Sequence, residues 1–154
     1  MNRRALLTSA LALLAARPAL AKGSAQFPFQ LSDSEWRVRL SPAAYAVLRE
    51  EDTERAFTSP LNDEKRAGIY HCAGCDQALY DARHKFDSGT GWPSFWQALP
   101  GAVGNREDNS FFSTRIEEHC SNCGGHLGHV FDDGPAPTGK RHCINGVALR
   151  FVAT

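Results

Sequence analysis

The chain has 154 residues, 42% hydrophobic and 22% charged, which suits one globular domain with its own core and excludes a disordered chain. Seventeen basic side chains balance seventeen acidic ones, so nothing provides the basic face that a nucleic-acid binder needs. Gly 13 and Pro 8 announce many turns, and no repeat is visible.

Residues 1–21 read as a cleavable export signal. Arg3 and Arg4 precede an apolar run from Ala5 to Ala16, and Ala19-Leu20-Ala21 is an A-x-A cleavage site. The run is short for a bilayer span, and Arg17 and Pro18 end it. Cleavage removes three arginines and no acids, leaving 14 basic against 17 acidic side chains. A periplasmic protein without stable membrane association is expected. Asn2-Arg3-Arg4-Ala5-Leu6-Leu7 partly matches a twin-arginine signal, which would suit a thiol-rich site filled before export. The general secretory route stays open.

Residues 22–31 read as a linker, and 32–154 as the functional domain. Ser32-x-x-Glu35 is a capping-box pattern that predicts a first helix with Trp36 and Leu40 on one face. Ser41-Pro42 predicts a second, Ser as cap and Pro in the first turn, with Tyr45 and Leu48 facing inward. Both are expected on the outside of a sheet, and neither looks catalytic.

From Gly68 onward, short strands between turns are predicted. Ile69-Tyr70-His71 leads into Cys72-x-x-Cys75, and Ser110 to Ile116 leads into Cys120-x-x-Cys123. Paired C-x-x-C motifs point to one tetrahedral four-cysteine zinc site; two local disulfides or a redox dithiol are the alternatives. Between them, the aromatic and glycine-rich run 85–96 is either a core corner or a pocket wall.

His126 and His129 lie three apart beside glycines. Imidazolium groups donate protons near pH 7, whereas further metal ligands or a surface turn would be the plainer reading. Pro135 to Gly139 is a loop that returns the chain to Arg141-His142-Cys143-Ile144-Asn145-Gly146. Cys143 is the fifth cysteine and the one without a metal partner. If the segment is extended, Arg141, Cys143 and Asn145 share a face, and a neighbouring cation would favour the reactive thiolate. A small core cysteine before an Asn-Gly hairpin turn fits the same residues. Val147, Leu149 and Phe151 then alternate with Ala148, Arg150 and Val152 as a half-buried last strand.

Gly89-x-Gly91-Trp92-Pro93-Ser94-Phe95, His126-Leu127-Gly128-His129-Val130-Phe131, Asp133-Gly134-Pro135, Pro137-Thr138-Gly139 and Arg141-x-Cys143-Ile144-Asn145 occur in the order in which type B methionine sulfoxide reductases carry them. The chain resembles that family from about Ser32 to Phe151. The resemblance implies a mainly β fold, two small antiparallel sheets in a tent-like arrangement with short peripheral N-terminal helices and one structural Zn2+. It implies reduction of the R epimer of methionine sulfoxide, free or in oxidised proteins, with Cys143 as nucleophile and Trp92 as the wall for the substrate methyl. His126, His129 and Asn145 would surround the sulfoxide oxygen, supported by Asp133 and Arg141.

Two departures bear on mechanism. Thr90 stands where many members carry the thiol that resolves the oxidised nucleophile, so an external thiol such as thioredoxin is implied. Ser110-Phe111-Phe112-Ser113 stands where many carry Ser-His-Gly-Met, and Phe112 is either an added apolar pocket wall or a core residue. His142 replaces an aromatic side chain. A monomer is expected.

Overall fold

The computed structural model describes residues 27–110 and 113–154. The export signal, the first part of the 22–31 linker and Phe112 lie outside these residues. Among those described, no helix is long and apolar enough to cross a membrane.

The two helices form where their caps predict. Ser32 and Glu35 make a reciprocal capping box at the start of α1 (Asp33–Arg39), and the Ser41 side chain caps α2 (Pro42–Glu50) by accepting from the Ala44 amide. Their inward faces, Trp36 on α1 and Tyr45, Val47 and Leu48 on α2, are buried in the core.

The remainder is antiparallel β structure. Strands β1 (Gly68–Cys72), β2 (Ala78–Asp81) and β9 (Leu149–Ala153) form a three-stranded sheet in the order β2-β1-β9. Strands β3 (Lys85–Phe86), β4 (Ser94–Phe95), β5 (Val103–Asp108), β6 (Arg115–Cys120), β7 (His126–Phe131) and β8 (Arg141–Ile144) form a second sheet, ordered β3-β4-β8-β7-β6-β5. The expected fold class, two antiparallel sheets with short helices, holds. Tyr80 of the first sheet stacks on Phe95 of the second at 4.4 Å between centroids, and Tyr70 meets Phe95 edge-on at 4.9 Å. Such offset and T-shaped pairs add about 0.5–1.5 kcal/mol each beyond the area they bury.

Two local departures from the sequence reading place the site. Asn145-Gly146 is not a hairpin turn. It opens a 3-10 turn (Gly146–Ala148) that carries the chain from β8 in one sheet to β9 in the other, which buries Ala148 completely and breaks the alternation expected from Val147. The second departure is in β7. Glu117 pairs with His129 and Glu118 with Gly128, but His119 pairs with His126, so Leu127 is an extra residue, a β-bulge. Without it, side chains three apart would point to opposite faces. With it, His126 and His129 share one.

Candidate functional site

The register across the large sheet sets one row of side chains on its outer face. Phe86, Ser94, Cys143, His129, Glu117 and Arg106 are successive cross-strand partners from β3 to β5. Two residues along, Asp108, Arg115, Phe131 and Arg141 belong to the same face. The other face is core, where fully buried Glu118 accepts from Tyr80 Oη and, at 2.6 Å, from His142 Nδ1. His142 is thus a half-buried polar residue bonded into the core through Glu118.

Cys143 is partly exposed at the floor of a cavity of about 150 Å³ lined also by Thr53, Trp92, Arg115, Gly128, His129, Phe131 and Asn145. Glycine at 128 is a packing requirement: a Cβ there would stand 2.0 Å from the Cys143 carbonyl oxygen. Four of the residues expected from sequence therefore meet in one place, Cys143, His129, Asn145 and Trp92. Arg141 and Asp133 form a bidentate pair beside them, both bonds at 2.8 Å, with the guanidinium 4.3 Å over the Phe131 ring. The Arg141 pKa is raised chiefly by those bonds to Asp133, and to a smaller degree by the Cys143 sulfur.

His126 does not line the cavity. It is buried behind His129, ring edge to ring face at 5.5 Å, and Nδ1 donates to Glu117 at 2.7 Å. Burial pushes the Glu117 carboxyl up, but hydrogen bonds from His126 and Arg106 outweigh it and hold the group below its ordinary range. His129 donates from Nε2 to Asp108 at 2.8 Å, and Arg115 donates to the same carboxylate at 2.6 Å. Asp108 is held well below the usual carboxylate range by Ser110, His129 and Arg115. Burial lowers the His129 pKa below its ordinary value, and Asp108 opposes this only in part. With Nε2 committed to Asp108, Nδ1 is left to exchange a proton.

Asn145 is a brace. Its side-chain oxygen accepts from the Glu54 amide at 2.8 Å, and its Nδ2 donates to the Leu127 carbonyl at 2.9 Å. The Asn145 backbone N–H donates to the same carbonyl. Glu54 accepts from the Gly146 amide at 2.6 Å, and its backbone carbonyl accepts the Trp92 indole N–H at 2.8 Å. One segment after α2 thus fixes both Trp92 and Asn145.

Thr53, Glu54, Asp108, Arg115 and Glu117 were not expected at the site. Thr53 and Glu54 end an acidic run that reads as solvated, and Asp108, Arg115 and Glu117 sit among charged residues that read the same way. A Glu117-Glu118 pair in a predicted strand was the available signal, since consecutive strand residues cannot both face solvent on a one-sided sheet.

The two C-x-x-C segments are copies of one turn. Cys72 N–H donates to Gln77 O and Cys120 N–H to Gly125 O; Asp76 N–H donates to Cys72 O and Gly124 N–H to Cys120 O. The residue after each second cysteine is left-handed, Asp76 at φ 68° and Gly124 at φ 69°. All four sulfurs lie within 4.8 Å of one another, with Cys72–Cys123 at 3.7 Å and Cys75–Cys120 at 3.5 Å. Tetrahedral coordination at about 2.3 Å per metal–sulfur bond puts sulfurs roughly 3.8 Å apart, so the cage fits such an ion, whereas a disulfide needs about 2.05 Å. Neither histidine belongs to this cluster.

A family model described as the SelR domain matches residues 40–153. A peptide methionine sulfoxide reductase MsrB of Methanosarcina barkeri is 52% identical over 128 residues, 82% of this chain and 90% of the relative. That of Agrobacterium fabrum is 50% identical over 121 residues, 78% of this chain and 90% of the relative. The chloroplastic peptide methionine sulfoxide reductase B1 of Arabidopsis thaliana is 50% identical over 124 residues, 80% of this chain and 61% of the relative. With its site geometry and these matches together, the chain belongs to the methionine-R-sulfoxide reductase B family.

Proposed function

We propose that the protein reduces methionine-R-sulfoxide, in oxidised proteins or free, through a sulfenic acid on Cys143 that an external thiol reduces. The observation that carries this reading is the partly exposed Cys143 at the floor of a small cavity, cross-strand from His129 and walled by Trp92. The cavity is too small for a folded partner and suits a thioether side chain. The Trp92 ring, held by its N–H on Glu54, supplies a flat apolar wall for a methyl group.

In this mechanism the Cys143 thiolate attacks the sulfoxide sulfur and forms an S–S adduct, whose S–S and S–O bonds to the substrate sulfur then break as oxygen bonds to the Cys143 sulfur. One thiol and one sulfoxide give one sulfenic acid and one thioether. Two external thiols then restore Cys143, with water and a disulfide as products. Arg141, fixed by Asp133, sets its positive charge on the same face as the sulfur. Negative charge develops on oxygen as the S–O bond breaks, and a proton delivered there lowers the barrier. His129 takes up that proton at Nδ1 and delivers it, and Asp108 behind Nε2 stabilises the imidazolium. His126 and Glu117 hold the His129 ring from behind rather than touching substrate.

Asp108→Asn tests the acid. It removes the charge that opposes burial at His129, so the declining limb of the pH–rate profile is expected to move to lower pH. A drop of about 10²-fold in kcat/KM at neutral pH is expected with it, within the range of general acid catalysis. An unmoved limb would rule His129 out as the titrating donor.

The overall reaction is tested by mixing reduced protein with each sulfoxide epimer and no reductant. The expected result is one methionine per chain from the R epimer alone, and a dimedone adduct on Cys143. An intramolecular disulfide to Cys143 instead would contradict the external-thiol route. Residues 1–21 support export to the periplasm, where a thioredoxin-like thiol is the reductant this route needs. Zinc is the ion we assign to the four thiolates, because a closed all-thiolate tetrahedron is its usual structural site.

A further inference from the structure

Behind Cys143 lies a chain of hydroxyls that the reaction above leaves unused. Thr90 Oγ1 is 3.8 Å from Cys143 Sγ and 2.8 Å from Ser88 Oγ; Ser88 Oγ is 2.7 Å from Ser94 Oγ; Ser94 donates to the Trp92 carbonyl at 3.1 Å. Ser94 is fully buried and is the cross-strand partner of Cys143.

Each hydroxyl carries one proton and can accept at its lone pairs, whereas a carbonyl oxygen only accepts. With Ser94 directed at Trp92, Ser88 must donate to Ser94 and Thr90 to Ser88. Thr90 then presents a lone pair to the sulfur, which suits the thiol. The thiolate needs a donor instead. When Cys143 loses its proton the three hydroxyls turn over together: Thr90 donates to sulfur, Ser88 to Thr90, Ser94 to Ser88, and the Trp92 carbonyl gives up its partner. A hydrogen bond to a charged group is about twice as strong as a neutral one, and the links behind it polarise one another.

We propose that Thr90, Ser88 and Ser94 form a reversible hydroxyl relay whose end, Thr90, stabilises the Cys143 thiolate by donating to it. Thr90 touches the reacting sulfur; Ser88 and Ser94 act through it as positioning residues. The inference rests on Cys143 being the nucleophile. The other groups facing this sulfur are Arg141 of β8, paired with Asp133; His129 of β7, bonded to Asp108 of β5; and Arg115 of β6. The 88–94 segment has no ionisable side chain, and Glu54 turns its carboxylate to the Gly146 and Val147 amides. Substitutions within the relay leave all of these in place.

The test is the pH dependence of iodoacetamide alkylation of Cys143 in the full, metal-loaded protein, followed by mass spectrometry on the peptide that carries it. It needs no turnover. Thr90→Val, of equal size, is expected to move the half-maximal pH up by about one unit, the scale of one hydrogen bond to a charge. Thr90→Ser restores the wild-type profile. Ser94→Ala removes the bond that points the chain away from the sulfur, so it moves the profile down. An unmoved Thr90→Val profile, or a Ser94→Ala profile that rises with it, overturns the relay. If Cys143→Ser still reduces sulfoxide, the nucleophile reading fails whatever the profiles show. If it does not, and Thr90→Val is unmoved, the relay alone fails.

Discussion

Cys143→Ser is expected to leave a folded, metal-loaded protein whose sulfoxide reduction falls by at least about 10³-fold, roughly 4 kcal/mol of lost transition-state stabilisation. Sulfur accepts the oxygen because it can become a sulfenic acid; a serine oxygen would have to form an O–O bond instead, and no such route competes. The fold should survive. Cys143 is partly exposed, and serine is slightly smaller where β7 and β8 pack closely at Gly128. Chromatography of the methionine formed, alongside near-ultraviolet circular dichroism, separates the two effects. Were Cys143 only a core residue, the variant would be destabilised and fully active.

The second large effect is expected at the metal. Cys120→Ala, or chelation of the wild type, should remove about one ion per chain and abolish cooperative folding. The reason is one of scale. Structural zinc is worth roughly 10–16 kcal/mol in zinc-finger peptides, and a whole domain is stable by only about 5–15 kcal/mol. Cys72 ends β1 in the small sheet and Cys120 ends β6 in the large one, so the ion fastens the two sheets together. Metal stoichiometry and thermal unfolding before and after chelation check this. A chelated protein that keeps its unfolding midpoint would show that Tyr80, Phe95 and the rest of the core suffice.

The parts legible in the sequence are those with short-range rules. Caps at Ser32 and Ser41, paired C-x-x-C turns, and the spacing of Arg141 and Cys143 each state a local geometry, and the structure has it. Asn145 was legible as a site residue but not as a brace, because its partners, Glu54 and the Leu127 carbonyl, come from distant segments. Asp108 and Glu117 were hidden for the same reason. A carboxylate on a strand reads as solvated until the register shows which histidine lies across from it. His126 kept its place near the site and lost its expected contact with the substrate cavity, because the bulge at Leu127 stacks it behind His129 instead of beside it.

That bulge also limits what length changes the chain can tolerate. Cys123 is fixed by the metal cage and His129 by Cys143 across the sheet, and only one odd residue lies between the paired positions. Adding or deleting a single residue between 124 and 128 would turn one histidine to the wrong side of the sheet or pull the cysteine out of its cage. Past Asp133, which Arg141 holds, the loop tip from 135 to 138 has neither a metal ligand nor a strand partner. Natural or engineered insertions should therefore accumulate there and be absent from the short segment ahead of His129.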